Sequence, residues 1–93
     1  MDIKLYSTTY CSYCRAAKQL LTDRKLAFTE IDCTQDTATR QRLVDETGRK
    51  TVPQIYIDGV PIGGFDDLSR LDRSGELAKI AAGNAAPPSI ALT

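Results

Sequence analysis

A strand, a helix and a second strand follow one another within the first 32 residues, and this order limits the possible folds more than any other feature. Ile3 and Leu5 alternate with polar residues, which predicts a short strand over residues 3–6. From about Ser12 to Lys25 the apolar residues recur at helical spacing. The stretch LAFTEID that follows is rich in strand formers. Such a β-α-β unit implies two parallel strands joined by a right-handed crossover.

The remainder of the chain predicts a second helix, a hairpin and a C-terminal helical region. A helix is predicted from Thr37 to Thr47, and Gly48 suits the left-handed position that ends it. In QIYIDGVPIGG the Asp-Gly pair predicts a type I′ hairpin turn, and Pro61 has no N–H to donate, so the return strand is expected at the sheet edge. The stretch FDDLSRLDRSGELAKIAA predicts one or two helical turns whose inward side chains are Leu68, Leu71, Leu77 and Ile80. The element order β-α-β-α-β-β-α predicts an α/β fold with a four-stranded sheet flanked by helices.

Length and charge narrow the functions that such a domain can serve. The 93 residues suffice for one small domain, which we place at residues 1–82, and the uncharged stretch 83–93 predicts a flexible tail. Twelve basic residues balance twelve acidic ones, which argues against binding to nucleic acid or a membrane surface through bulk charge. No apolar run approaches the roughly 20 residues of a membrane span, and MDIKLYS lacks the features of a signal peptide. We therefore expect a cytoplasmic protein in a reducing compartment.

Two cysteines, Cys11 and Cys14, stand where the first strand meets the first helix. A helix N-terminus carries about half a positive charge, which favours the thiolate form of a cysteine. Cys11 is expected to be exposed and Cys14 to lie deeper on the same face, so Cys11 would attack a disulfide and Cys14 would resolve the mixed disulfide. Two alternatives stay open: a pair of buried structural thiols, or a zinc site completed by a carboxylate or a second chain. Zinc needs four ligands, and the chain has only three cysteines and no histidine to supply them. The lack of histidine also excludes a nucleophilic cysteine activated by a histidine. Cys33 is interpreted as a small apolar filler.

Three stretches in a fixed order, CSYC, TVPQIYIDG and GGFDDL, resemble the glutaredoxin family over nearly the whole chain to about residue 82. The resemblance is to the dithiol class and implies the thioredoxin fold, with a four-stranded mixed sheet flanked by three or more helices. It also implies a glutathione-dependent oxidoreductase that reduces protein disulfides and glutathione mixed disulfides, with glutathione as co-substrate. The implied partners are glutathione and proteins that carry disulfides or glutathione adducts, and a monomer is expected.

The family pattern assigns roles to individual residues. Cys11 matches the nucleophile, Cys14 the resolving thiol, and Tyr13 resembles the tyrosine that lines the glutathione groove. Three further groups match glutathione-binding positions: Thr51, Val52 and Pro53, whose proline is cis in the family; Gly64, Phe65, Asp66 and Asp67, which receive the γ-glutamyl end; and Arg40, which can hold the glycine carboxylate. Without the resemblance, these groups have plainer interpretations as the start of a strand, a turn with a helix cap, and a solvated arginine.

Two positions depart from the usual family pattern in ways that bear on function. Thr8 stands where many members have a lysine that binds a glutathione carboxylate, so we expect a lower affinity or thiolate fraction, with Arg49 or Lys50 as candidates for restoring the charge. Ser12 replaces the usual proline after the nucleophile, which returns a backbone N–H and loosens the loop. Some members with the CSYC motif bind a [2Fe-2S] cluster between two protomers through the nucleophilic cysteine and glutathione. The alternative function is therefore a cluster carrier or sensor, with Cys11 as a ligand in a homodimer.

Overall fold

In the computed structural model, which describes residues 1–92, four strands form one mixed sheet in the order β2-β1-β3-β4. The strand β1 pairs in parallel with β2 and antiparallel with β3, and β3 pairs antiparallel with β4. The elements are β1 (Ile3–Ser7), α1 (Ser12–Asp23), β2 (Thr29–Asp32), α2 (Thr37–Thr47), β3 (Gln54–Ile57), β4 (Val60–Gly63), α3 (Phe65–Ser74) and α4 (Glu76–Ala81). The predicted α/β fold with a four-stranded mixed sheet and at least three helices is confirmed, and α2 has the predicted bounds.

Four elements differ from the sequence prediction. Strand β1 ends at Ser7, one residue beyond the predicted end. Helix α1 ends at Asp23 rather than Lys25, because Lys25 adopts a left-handed conformation (φ 58°) and the Leu26 N–H bonds back to the Leu21 carbonyl. Strand β2 begins at Thr29, since the apolar residues before it pack against the core from a loop. The predicted one or two turns at the C-terminus were too short. Two helices of 10 and 6 residues form there, separated by Gly75 with φ 86°.

The two faces of the sheet bury different kinds of side chain. The face covered by α1, α3 and α4 is apolar: Ile3, Leu5, Ala17, Leu21, Ile55, Ile57, Ile62, Leu68, Leu77 and Ile80 form its core. The alternate strand residues point to the face covered by α2, where Tyr6, Cys33, Leu43 and Tyr56 form a smaller cluster. The apolar face therefore fixes the position of α1, whose N-terminus carries the cysteine pair.

Polar contacts hold α2 on the second face. The Arg42 guanidinium donates to the Tyr6 hydroxyl at 2.8 Å, and the Tyr56 hydroxyl donates to the Glu46 carboxylate. The two tyrosine rings meet edge to face with centroids 5.4 Å apart, an arrangement that contributes about 0.5–1.5 kcal/mol beyond burial. Burial and the Glu46 contact raise the pKa of Tyr56 above its ordinary value, so this hydroxyl stays a donor.

The hairpin and the C-terminal segment complete the sheet edge. Asp58 (φ 51°) and Gly59 (φ 80°) confirm the type I′ turn, and the Pro61 strand is the edge strand, as predicted. Beyond α4, residues 83–92 contain no helix or strand, but the Ile90 N–H donates to the Pro61 carbonyl and the Leu92 N–H to the Glu46 carbonyl. Within residues 1–92, no helix is long and apolar enough to cross a membrane.

Candidate active site

The cysteine pair lies where β1 ends and α1 begins. Cys11 has an extended backbone (φ −141°, ψ 105°) and is the N-cap of α1, with its sulfur accepting the Cys14 N–H at 3.0 Å. A side chain with an acceptor atom is favoured at this position because the first N–H groups of a helix have no partner within it. Cys11 and Cys14 are joined by a disulfide, with Cα atoms 5.2 Å apart. The two sulfurs are therefore within reach of each other without movement of the helix.

The two cysteines differ in exposure. Cys14 is only 1% exposed, whereas Cys11 is partly accessible at the surface. In the reduced protein a thiolate at Cys11 would receive the Cys14 N–H and lie at the positive end of the α1 dipole. The arrangement thus provides an accessible sulfur at Cys11 that can attack a disulfide. The buried sulfur of Cys14 behind it can then displace the group bound to Cys11.

The segment Thr51–Pro53 forms a wall beside the nucleophile. The Val52 carbonyl oxygen lies 3.6 Å from the Cys11 sulfur, and the Val52–Pro53 peptide bond is cis. Pro53 is buried, Val52 is half-buried and Thr51 is exposed, so the segment rises from the core to the surface beside Cys11. An extended ligand that reached Cys11 would pass directly over this backbone.

The N-terminus of α3 forms the opposite wall. The Gly64 N–H donates to the Asp67 carboxylate at 2.9 Å, and Arg49 donates to the same oxygen at 2.7 Å. Burial raises the pKa of Asp67, but the Arg49 and Gly64 hydrogen bonds and the charges of Arg49 and Arg70 hold it below its ordinary value, so the group is ionised. A side chain at Gly63 (φ 113°) would overlap this carboxylate. A Cβ at Gly64 would come within 3.1 Å of the Pro53 carbonyl oxygen, which shows how closely the two walls approach.

A groove of about 280 Å³ runs between these walls. It is lined by Tyr13, Arg49, Thr51, Val52, Pro53, Gly64, Phe65, Asp66 and Asp67. Tyr13 is 63% exposed and the centroid of its ring lies 6.2 Å from that of Phe65, so the two aromatic side chains lie side by side in the lining. The groove combines aromatic surface, free backbone polar groups and charges of both signs, a lining suited to a short, zwitterionic peptide.

The structure brings eight of the nine predicted glutathione-binding residues into this one groove. Arg40 is the exception, because it lies on α2 beside two shallow depressions outside the groove, one with Thr8 and one with Lys50. Arg49, which the sequence offered only as a candidate substitute for the missing lysine, lines the groove instead. The signal for Arg49 was weak, since its partner Asp67 is 18 residues away in the chain.

The third cysteine is separate from the site. Cys33 is 0% exposed and its thiol donates to the Ser7 carbonyl at 3.2 Å. Burial raises the pKa of Cys33, so it is a neutral thiol at neutral pH. Across residues 1–92 no group of three or more His, Cys, Asp or Glu side chains is placed to hold a metal ion. No observation in this geometry favours the [2Fe-2S] alternative over thiol–disulfide exchange.

Comparisons with known proteins agree with this geometry. The family model for glutaredoxin matches residues 3–62. "Glutaredoxin 3" from Escherichia coli strain K12 is 41% identical over 76 residues, covering 82% of this chain and 92% of the relative. A glutaredoxin from Pseudomonas aeruginosa is 43% identical over 75 residues, covering 81% of this chain and 89% of the relative.

Among solved structures, a buckwheat glutaredoxin–glutathione complex superposes with a TM-score of 0.81 at 31% identity, covering 90% of this chain and 81% of that one. The glutaredoxin of Brucella melitensis gives a TM-score of 0.80 at 36% identity, covering 92% and 95%. The Cys11–Cys14 pair, the four-stranded mixed sheet and these likenesses agree, and the chain belongs to the glutaredoxin family.

Proposed function

We propose that this chain reduces glutathione mixed disulfides and protein disulfides, with Cys11 as the nucleophile and Cys14 as the resolving thiol. Membership of the family gives the reaction class: the chain is a glutathione-dependent thiol–disulfide oxidoreductase. The assignment of roles rests on one observation above all. The accessible Cys11 sulfur caps a helix N-terminus and lies 3.6 Å from the carbonyl oxygen of Val52, which lines the groove, while Cys14 is buried behind it.

The exchange with a glutathione mixed disulfide proceeds in two steps. The Cys11 thiolate attacks the glutathione sulfur, a new S–S bond forms, the old one breaks, and the substrate leaves as a thiolate that takes a proton from water. The thiolate of a second glutathione then attacks the bound glutathione sulfur, which releases glutathione disulfide and restores the Cys11 thiolate. The Cys14 N–H and the α1 dipole stabilise the negative charge that returns to Cys11.

A protein disulfide requires the second cysteine. Cys11 first forms a mixed disulfide with the substrate, and the Cys14 thiolate then attacks Cys11, which releases the reduced protein and leaves the Cys11–Cys14 disulfide. The structure shows the protein in this form, with Cys11 and Cys14 joined by a disulfide. Two glutathione molecules reduce it, with the first forming a mixed disulfide on Cys11 and the second displacing it as glutathione disulfide.

The groove supplies the binding site for glutathione in this proposal. The Val52 backbone accepts the extended cysteinyl part beside Cys11, and Tyr13 with Phe65 covers it from the side. At the far end, the free N–H groups at the start of α3 suit the γ-glutamyl carboxylate, and the ionised Asp67 suits its ammonium. The buckwheat neighbour, described as a glutaredoxin–glutathione complex, supports this choice of ligand.

We also propose that the chain acts in the cytoplasm, as a monomer, on glutathionylated proteins and proteins with accessible disulfides. The support is the cysteine usage, since a redox-active CxxC pair with one buried free thiol fits a reducing compartment. Residue 83 and those after it remain proposed as a segment outside the catalytic domain.

Three proteins test the assignment: wild type, Cys11→Ser and Cys14→Ser. Each is assayed with a glutathionylated peptide and with a protein disulfide, in glutathione coupled to glutathione reductase. Cys11→Ser is expected to abolish both activities, and Cys14→Ser to retain the first and lose the second. Loss of both activities in Cys14→Ser, with an unchanged Tm, would contradict the division of roles.

A further inference from the structure

Gln54, the first residue of β3, carries a buried amide with only one partner. Its side chain is 1% exposed, and it stands opposite Tyr6 in the ladder, so it points to the α2 face. Its Nε2 donates to the Thr51 carbonyl at 2.9 Å, while its Oε1 has no partner within residues 1–92. The orientation of the amide is settled by chemistry, because a carbonyl oxygen can only accept.

Stability alone does not favour an amide at this position. A buried polar atom without a partner destabilises the fold, and an apolar side chain of similar size would avoid that penalty. The hydrogen bond from the Gln54 amide to the Thr51 carbonyl is therefore the feature that can explain a glutamine at this position.

That hydrogen bond holds the wall of the groove. Within residues 1–92, the backbone of Thr51–Pro53 makes no hydrogen bond to any other backbone group. Among residues 1–92, the one side-chain N–H group that binds this backbone is the Gln54 amide. The burial of Pro53 fixes one end of the segment, and Gln54 fixes the other end by reaching back three residues to Thr51.

The position of this segment matters at two points of the site. The Val52 carbonyl lies 3.6 Å from the Cys11 sulfur, and the Pro53 carbonyl lies against Gly64 of the opposite wall. A rotation of the Thr51 peptide would therefore change the width of the groove and the surface that an extended ligand meets beside Cys11.

We propose that Gln54 is a positioning residue that sets the backbone of Thr51–Pro53 for binding the glutathione part of the substrate. The proposal rests on the proposed function, since it takes the groove as the glutathione site. Gln54 does not touch the ligand or the reacting sulfurs, and it acts through the Thr51 carbonyl alone.

Two substitutions test this role. Gln54→Leu removes the donor at similar size, and Gln54→Glu replaces the donor with a buried carboxyl group. Tyr56→Phe is the matched control, because Tyr56 lies on the same strand and face and the substitution removes only its hydroxyl, which donates to Glu46 and not to residues 51–53. Each variant is assayed for kcat and KM with a glutathionylated peptide, and its Tm is measured.

Gln54→Leu is expected to raise KM about tenfold, equivalent to about 1.4 kcal/mol, with kcat within about twofold of wild type. Tyr56→Phe should lower the Tm and leave KM unchanged. Gln54→Glu adds a pH readout. Burial raises the pKa of a carboxyl group, and its protonated form can donate to the Thr51 carbonyl. The KM of Gln54→Glu relative to wild type should therefore fall as the pH is lowered, whereas the ratio for Gln54→Leu stays constant.

The outcomes separate this inference from the proposed function. A wild-type protein that does not turn over the glutathionylated peptide contradicts the function itself. An active wild type with KM of Gln54→Leu within twofold of its own overturns the positioning role, whatever the change in kcat. If Gln54→Leu does not fold, the pH dependence of Gln54→Glu decides, and a flat KM ratio overturns the role.

Discussion

Replacement of Asp67 by asparagine tests the charged end of the groove. Asparagine keeps an oxygen that can accept the Gly64 N–H, but it removes the negative charge. The attraction between two unit charges about 4 Å apart is about 1 kcal/mol in bulk water and about 4 kcal/mol near a protein surface. A loss of about 1.4 kcal/mol, near the lower value because the groove is open to solvent, corresponds to a tenfold loss of affinity for a ligand ammonium. We expect Asp67→Asn to raise KM for a glutathionylated peptide about tenfold.

The same substitution should have little effect on stability and turnover. The Arg49 side chain is 41% exposed and that of Asp67 is 19% exposed, so the ion pair between them is partly screened and contributes less than about 1 kcal/mol. The wall residue that contacts the Cys11 sulfur is Val52, whereas the Asp67 carboxylate is bound by Arg49 and Gly64, so kcat should stay within about twofold of wild type.

A second carboxylate on α3 provides the control. Asp72 also pairs with an arginine, Arg24, through hydrogen bonds of 2.7 and 2.9 Å, but it lies outside the groove. Asp72→Asn should therefore leave KM unchanged. Both variants are assayed by initial rates over a range of peptide concentrations, with the Tm measured in parallel.

The pH dependence gives a further check on Asp67. Because its pKa is held below the ordinary value, the wild-type carboxylate is ionised throughout the range from about pH 6 to 8. The ratio of the KM of Asp67→Asn to that of the wild type should thus be constant over that range. A KM of Asp67→Asn within twofold of wild type, or an equal rise in Asp72→Asn, would refute the reasoning that this carboxylate binds the ligand.

Two further outcomes follow from the packing around the site. Gly63→Ala should raise KM and lower the free energy of unfolding by about 1–2 kcal/mol or more, because φ is 113° and the new Cβ overlaps the Asp67 carboxylate. Urea unfolding and initial rates measure both effects, and a wild-type KM would contradict the predicted overlap. Cys33 should resist a maleimide reagent in the reduced, folded protein, since it is buried and its pKa is raised, and react only after unfolding. Mass spectrometry locates the label, and its appearance on Cys33 at the rate of Cys11 would show that the thiol is accessible.

The features that the sequence predicted well are those specified by neighbouring residues. Helix α2 has the predicted bounds because Gly48 adopts the left-handed conformation (φ 71°) that ends it. The Asp58–Gly59 turn likewise depends on two adjacent residues that tolerate positive φ. The end of α1 was placed two residues too late because no glycine or proline marks the left-handed turn that Lys25 makes after the helix. A periodic pattern reports which residues face the core, and it does not report where the backbone leaves the helix.

Contacts between distant segments were harder to predict. Arg40 and Arg49 both resemble solvated arginines in the sequence, and only the sheet topology separates them. Arg40 lies on α2, over the second face of the sheet, whereas Arg49 follows the end of α2 and reaches across to Asp67 at the start of α3. No local pattern distinguishes the two positions, because the distinction is made by where α3 lies.

Gln54 shows why the redox pair and the groove can be treated as separate parts of the site. Cys11, Cys14 and the N-terminus of α1 form a unit of four residues whose chemistry depends on helix geometry. The groove depends instead on how the ends of β3 and α3 meet, and a glutamine at a strand start gave no sign in the sequence that its amide was buried. The two units meet at the 3.6 Å contact between Val52 and Cys11 and at Tyr13, which belongs to the first turn of α1 and also lines the groove. Substitutions in the walls of the groove should therefore act on KM, and substitutions of the cysteines on the reactivity of the sulfur. A wall variant that slowed alkylation of Cys11 as much as it raised KM would show that these contacts couple the two units.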